Sequence, residues 1–145
     1  KILLCGNGGS ACDAAHFAEE LTGRFRNDRP PLPALACTDP GHITCTANDY
    51  GFEHVFSRWV EGLAKPGDAV ILLSTSGNSP NVINAAQAAT RRGAVTIGLL
   101  GKSGGRLASL CAHRVIVPGH STDRIQELHM VLLHGWVEHI ESALF

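Results

Sequence analysis

The chain has 145 residues, 44% of them hydrophobic and 17% charged, and a formal charge of −1 when its eight histidines are neutral. This is the composition of one globular domain, spanning residues 1–145, with its own core, and it excludes a disordered chain. The near-neutral charge removes any global reason to bind nucleic acid or a membrane surface, and no apolar run approaches the ~18 residues of a spanning helix.

Lys1–Cys5 opens the chain as a short apolar run that reads as a buried strand, so a longer natural chain is expected before it. The Gly6–Ser10 loop and an amphipathic helix to about Leu21 follow. Pro30-Pro31-Leu32-Pro33 is a rigid connector into a second strand, Ala34–Cys37. Asn48-Asp49 precedes the turn Tyr50-Gly51-Phe52 and reads as a polar dipeptide in a loop. Ala69–Leu73 is a third strand, followed by the loop Ser74–Ser79 and a helix from Pro80 to about Arg92. Val95–Leu100 leads through Gly101–Gly105 into a short helix ending near Cys111, and Val115–Val117 is the last strand. The final helix runs from about Thr122 to near the C-terminus, with Leu128, Val131, Leu132, Gly135, Trp136 and Ile140 as its apolar stripe. Its length exceeds what a small sheet needs, and the excess suits packing on another subunit.

Short, non-alternating strands separated by helices predict an α/β fold, a parallel five-stranded sheet with helices on both faces. The five cysteines contain no C-x-x-C pair, and Cys5, Cys37 and Cys111 sit in apolar runs. They read as reduced core residues, which favours the cytoplasm.

Ligands of open parallel sheets gather beyond the carboxyl ends of the strands, where both Gly/Ser loops fall. Ser74-Thr75-Ser76-Gly77-Asn78-Ser79 offers four hydroxyls and a glycine backbone expected to be unencumbered. Ser79 fits the N-cap and Pro80 the first helical position of the following helix. Free amides and the positive helix end then suit a phosphate monoester without lysine. Gly6-Asn7-Gly8-Gly9-Ser10-Ala11 also meets the loose G-x-G-x-x-G/A dinucleotide pattern. The acidic residue that pattern expects about 20 residues on is missing, since Asp39 lies farther along, and no Walker motif is present.

His16 and Glu20, four apart, share a helix face. Gln126 and His134 lie on one stripe of the last helix, ~12 Å apart along its axis. A neutral histidine and a carboxylate make an acid/base pair, and with Gln126 an N/O zinc site. Arg24, Arg26 and Arg29 form a local positive cluster.

Five stretches together resemble one family. They are C-G-N-G-G-S at Cys5–Ser10, H-F-A-E-E-L-T-G-R at His16–Arg24, A-N-D-Y-G-F at Ala47–Phe52, S-T-S-G-N-S at Ser74–Ser79 and D-R-I-Q-E-L-H at Asp123–His129. In that order, across nearly the whole chain, they resemble the sugar isomerase (SIS) domain, in particular the phosphoheptose isomerases. The resemblance implies a three-layer αβα sandwich, flavodoxin-like, and an aldose–ketose isomerase. Sedoheptulose 7-phosphate would become D-glycero-D-manno-heptose 7-phosphate through an enediol, toward nucleotide-activated heptose for surface glycans such as lipopolysaccharide.

By the same resemblance Glu20 is the base and His134 its acid/base partner. Asn7, Gly8, Gly9, Ser10, Glu20, Arg24, Asn48, Asp49, Asp123 and Gln126 contact substrate, and Ser74, Thr75, Ser76 and Ser79 cradle its phosphate. His16, Glu20, Gln126 and His134 hold one zinc ion per subunit, no nucleotide cofactor is needed, and a homotetramer places active sites between subunits. A helical segment before the first strand, which the family carries, is missing from this sequence. The competing readings are SIS proteins without turnover, one binding the replication initiator and one sensing a sugar phosphate. The Glu20–His134 pair argues against both.

Overall fold

The computed structural model describes all of residues 1–145. Five strands form one parallel sheet: β1 Ile2–Gly6, β2 Ala34–Ala36, β3 Ala69–Ser74, β4 Val95–Gly101 and β5 His113–Val117. Their order is β2-β1-β3-β4-β5. The helices are α1 Gly9–Thr22, α2 Pro40–Tyr50, α3 Val55–Leu63, α4 Pro80–Arg91, α5 Leu107–Leu110 and α6 Thr122–Leu144, with a 3₁₀ turn at Phe52–His54 before α3. Register is continuous through the centre, with Leu4 opposite Ile71 and Ile71 opposite Ile97.

The strands read as apolar runs because both sheet faces are covered. On one face Leu4, Ile71, Leu73 and Leu99 pack under Phe17 and Leu21 of α1 and Leu133 and Val137 of α6. On the other, Leu3, Cys5, Val70 and Leu72 meet Val55, Phe56 and Val60 of α3 and the alanine-rich side of α4. The result is the three-layer sandwich expected from the sequence.

Two readings change. Asn48 and Asp49 are not in a loop; they lie in the last turns of α2. The local signal for that helix is Asp39-Pro40: Asp39 accepts the His42 amide at 2.6 Å as an N-cap, with proline at the first helical position. The stripe assigned to α6 changes in part: Leu132, Trp136 and Ile140 do pack, half-buried, against the core, but they flank its centre. The row packed against the sheet is Ile125, His129, Leu133 and Val137, while Leu128 and Val131 point outward at 40% and 66% exposure. The polar His129 hid this row. It is fully buried, and its Nε2–H donates to the Leu100 carbonyl at 3.1 Å.

All five cysteines are free, and Cys5, Cys37 and Cys111 are buried. Burial pushes the Cys37 thiol up to about 12, with Asp39 adding to the shift.

Candidate active site

The chain winds away from β1 in one direction and away from β3 in the other, so their C-terminal turns splay apart. The crevice between them is a cavity of about 300 Å³. Asn7, Gly8, Gly9 and Ser10 line it from the β1–α1 turn, Ser74, Thr75 and Ser79 from the β3–α4 turn, and Thr122 and Gln126 from α6. Three helices thus start at one cavity, and none of their N-cap residues, Gly8, Ser79 and Ser121, makes a side-chain cap bond. Their positive ends converge without a single lysine among the lining residues.

Gly8 takes a left-handed φ of 55°, and no atom lies within 4 Å of where a side chain would begin. Gly9 is different: a Cβ there would sit 2.5 Å from Gln126 Oε1. Its missing side chain admits Gln126, whose Nε2 donates to Ser10 Oγ at 3.4 Å.

Two hydroxyls of the Ser74–Ser79 loop shape the loop itself. Ser74 Oγ accepts the Gly77 amide at 3.0 Å and Ser76 Oγ the Asn78 amide at 3.2 Å. Ser79 is the N-cap residue of α4, but its hydroxyl makes no cap bond. Gly77 is not the unencumbered glycine expected from the sequence. At φ 66° it packs against the β4–α5 turn, and a Cβ would lie 1.9 Å from the Gly104 carbonyl oxygen. Leu107 N donates to the Gly77 carbonyl and Arg106 N to Asn78 Oδ1, both at 3.0 Å, so one loop backs the other.

The second group lies farther along α1 and α6. One donor atom from each of His16, Glu20 and His134 falls within 4.8 Å of the others. His16 Nε2 is 3.1 Å from Glu20 Oε1, the contact their i,i+4 spacing predicts. The His16 and His134 rings meet edge to face at 5.1 Å, and Phe25 covers His134 from another side at 5.6 Å.

His134 Nε2 is buried with no hydrogen-bond partner. An orphaned imidazole nitrogen beside a carboxylate and a second imidazole fits a divalent metal such as zinc, whose usual ligands are these. Gln126 is not drawn into this cluster; its amide goes to the Gly9–Ser10 turn, ~12 Å back along the helix.

The remaining sequence candidates stay apart from the cavity. Arg24 is exposed beyond the end of α1. Asn48 and Asp49 are exposed on α2, with the Asn48 amide donating to the Asp49 carboxylate at 2.8 Å. Asp123 is exposed in the first turn of α6, its carboxyl held low by a hydrogen bond from Ser121.

Sequence reading missed Thr122 and two buried groups near the site. Asp13, one turn before His16, has a carboxylate oxygen without a partner, and burial pushes its carboxyl up while His16 pulls it down. Asn81 is buried beneath the Ser79–Pro80 helix start. Only its position after an N-cap serine and a proline marked it in the sequence.

A family profile for the SIS domain matches residues 1–101. The phosphoheptose isomerase of Fusobacterium nucleatum is 57% identical over 145 residues, covering 100% of this chain and 75% of that protein. The chain belongs to the phosphoheptose isomerases. A second member, from Trichlorobacter lovleyi, is 55% identical over 146 residues, covering 100% of this chain and 74% of that protein. Among solved structures, the phosphoheptose isomerase of Neisseria gonorrhoeae superposes with a TM-score of 0.92 at 46% identity, covering 98% of this chain and 76% of that one. Family membership makes the chain an isomerase and decides against the SIS readings without turnover.

Proposed function

We propose that the chain converts sedoheptulose 7-phosphate to D-glycero-D-manno-heptose 7-phosphate, upstream of nucleotide-activated heptose. The observation that carries this reading is the meeting of Glu20 with His134 and His16. Glu20 takes a proton from C1 of the open-chain ketose and returns one to C2 of the enediol. His134 moves the oxygen-bound proton between O2 and O1. No electrons leave the sugar, so no nucleotide cofactor takes part.

The phosphate is assigned to the Ser74–Ser79 loop, where Thr75 and Ser79 hydroxyls join the uncapped helix starts. Phosphate binding energy then holds the sugar while the proton moves.

His16, Glu20 and His134 would hold a zinc ion, with Gln126 as a further ligand. When bound, such an ion supplies Lewis-acid charge against developing oxyanions. Gln126 and His134 are too far apart on one helix to share an ion. Twofold packing of α6 on a second copy, about Met130–Val131, would set one chain's Gln126 beside the other's His134. The outward Val131, about 60° around the helix from His134, supplies an apolar contact beside it. Arg24, Asn48, Asp49 and Asp123 then reach substrate in the assembled homotetramer rather than in one subunit.

Metal-replete, assembled protein incubated with sedoheptulose 7-phosphate is expected to give the aldose by NMR, and no turnover would overturn the reading. Glu20→Gln is expected to abolish proton exchange at C1 and C2 while binding persists. Unchanged exchange would remove Glu20 from the base role.

A further inference from the structure

We infer that Asn81 is a positioning residue for the substrate cavity, acting through Asn7 as one half of an amide clasp between the two phosphate-type loops. The inference rests on the proposal that this cavity takes the sugar phosphate. Asn7 Nδ2 donates to Asn81 Oδ1 at 2.9 Å, and Asn81 Nδ2 donates back to Asn7 Oδ1 at 2.8 Å. The two residues are 74 apart in sequence, one following β1 and the other in the first turn of α4.

The orientation of the pair is fixed from below. The Val82 backbone N–H, which can only donate, donates to Asn81 Oδ1 at 3.0 Å. That settles which end of the Asn81 amide is oxygen, and the reciprocal pairing then settles Asn7. Asn81 is 2% exposed, so it cannot itself meet a substrate. Asn7 lines the cavity. A primary amide has two N–H donors, and the clasp uses one of those on Asn7. The second N–H remains for a hydroxyl or phosphate oxygen of the sugar phosphate.

Asn81 therefore has two effects. It aims the Asn7 donor, and it sets the spacing between the β1–α1 turn and the start of α4. This spacing is the width of the crevice at the topological switch point, where the sheet alone leaves the loops splayed. Loss of the clasp leaves Asn7 free to rotate and its carbonyl without a partner, which costs binding of a ligand that both loops must grip.

The test is a double-mutant cycle on the assembled protein. Asn7→Ala, Asn81→Ala and the pair are assayed with sedoheptulose 7-phosphate, with Ser79→Ala as a separate arm. Asn81→Ala is expected to raise KM about tenfold, with a smaller change in kcat. The double variant is expected to be no worse than Asn7→Ala alone, because Asn81 acts through Asn7. Asn81→Asp keeps the acceptor for Val82 but sets an oxygen against Asn7 Oδ1, so it is expected to raise KM as well, in protein whose circular dichroism is unchanged.

Additive effects of the two alanine substitutions, or an unchanged KM in Asn81→Ala, would overturn the clasp. If Ser79→Ala still raises KM in that case, the cavity stands and only the clasp falls. If neither variant moves KM, the cavity assignment falls with it.

Discussion

Gly77→Ala isolates the contact between the two loops behind the cavity. The native φ of 66° costs an alanine about 1–2 kcal/mol. Its Cβ would sit 1.9 Å from the Gly104 carbonyl oxygen, where ordinary contact begins at 3.4 Å, so the loops must separate by about 1.5 Å. Separation breaks the hydrogen bonds from Leu107 N to the Gly77 carbonyl and from Arg106 N to Asn78 Oδ1. At roughly 0.5–1.5 kcal/mol each, they bring the total to about 2–5 kcal/mol. For a chain of this size that is a fall in Tm of roughly 5–15 °C. KM for the sugar phosphate should rise with it, because the displaced loop carries Thr75 and Ser79. Thermal melts and steady-state kinetics on the same preparation read both effects. Gly62→Ala is the control: it lies within α3, with nothing within 4 Å of the added methyl, and should leave Tm unchanged or slightly higher. A Gly77→Ala protein indistinguishable from Gly62→Ala in Tm and KM would refute the packing argument.

Metal content should follow the triad. Elemental analysis is expected to find about one zinc per subunit in replete protein, and His16→Ala should lose it; full retention in His16→Ala would remove that residue from the ligand set. Acid stability should depend on Asp68, a buried carboxylate held low by the Lys1 ammonium at 2.5 Å and by the Lys65 amide at 2.8 Å. Its folded pKa lies below its ordinary 3.8, so its contribution is complete above that value and fades as pH falls further. Urea midpoints should therefore drop below about pH 4 in the wild type, and less steeply in Asp68→Asn. Alkylation of the native protein should modify Cys12 and Cys45, which are exposed, and spare the three buried thiols, of which Cys111 is pushed up to about 11 by burial. Peptide mass spectrometry after a timed reaction reads this directly, and early labelling of Cys5 would contradict the buried-core assignment.

The sequence by itself determined the elements whose signals are local. Apolar runs located five strands within about two residues, three of them by the Gly/Ser turns that follow, and Ser79-Pro80 located the start of α4. The i,i+4 step placed His16 beside Glu20, since helical geometry brings those positions together wherever the helix lies. Tertiary structure decided whatever depends on partners distant in sequence. It turned α6 so that His129 rather than Leu128 faces the sheet, because the buried face is chosen by what lies beneath it. It gave Gly77 to Gly104 instead of to a ligand. It joined Asn7 to Asn81 and His134 to His16 and Glu20, pairings that no spacing along the chain encodes. It also gave Gln126 to the Gly9–Ser10 turn, a partner 116 residues away, while its ~12 Å separation from His134 already followed from the helix rise.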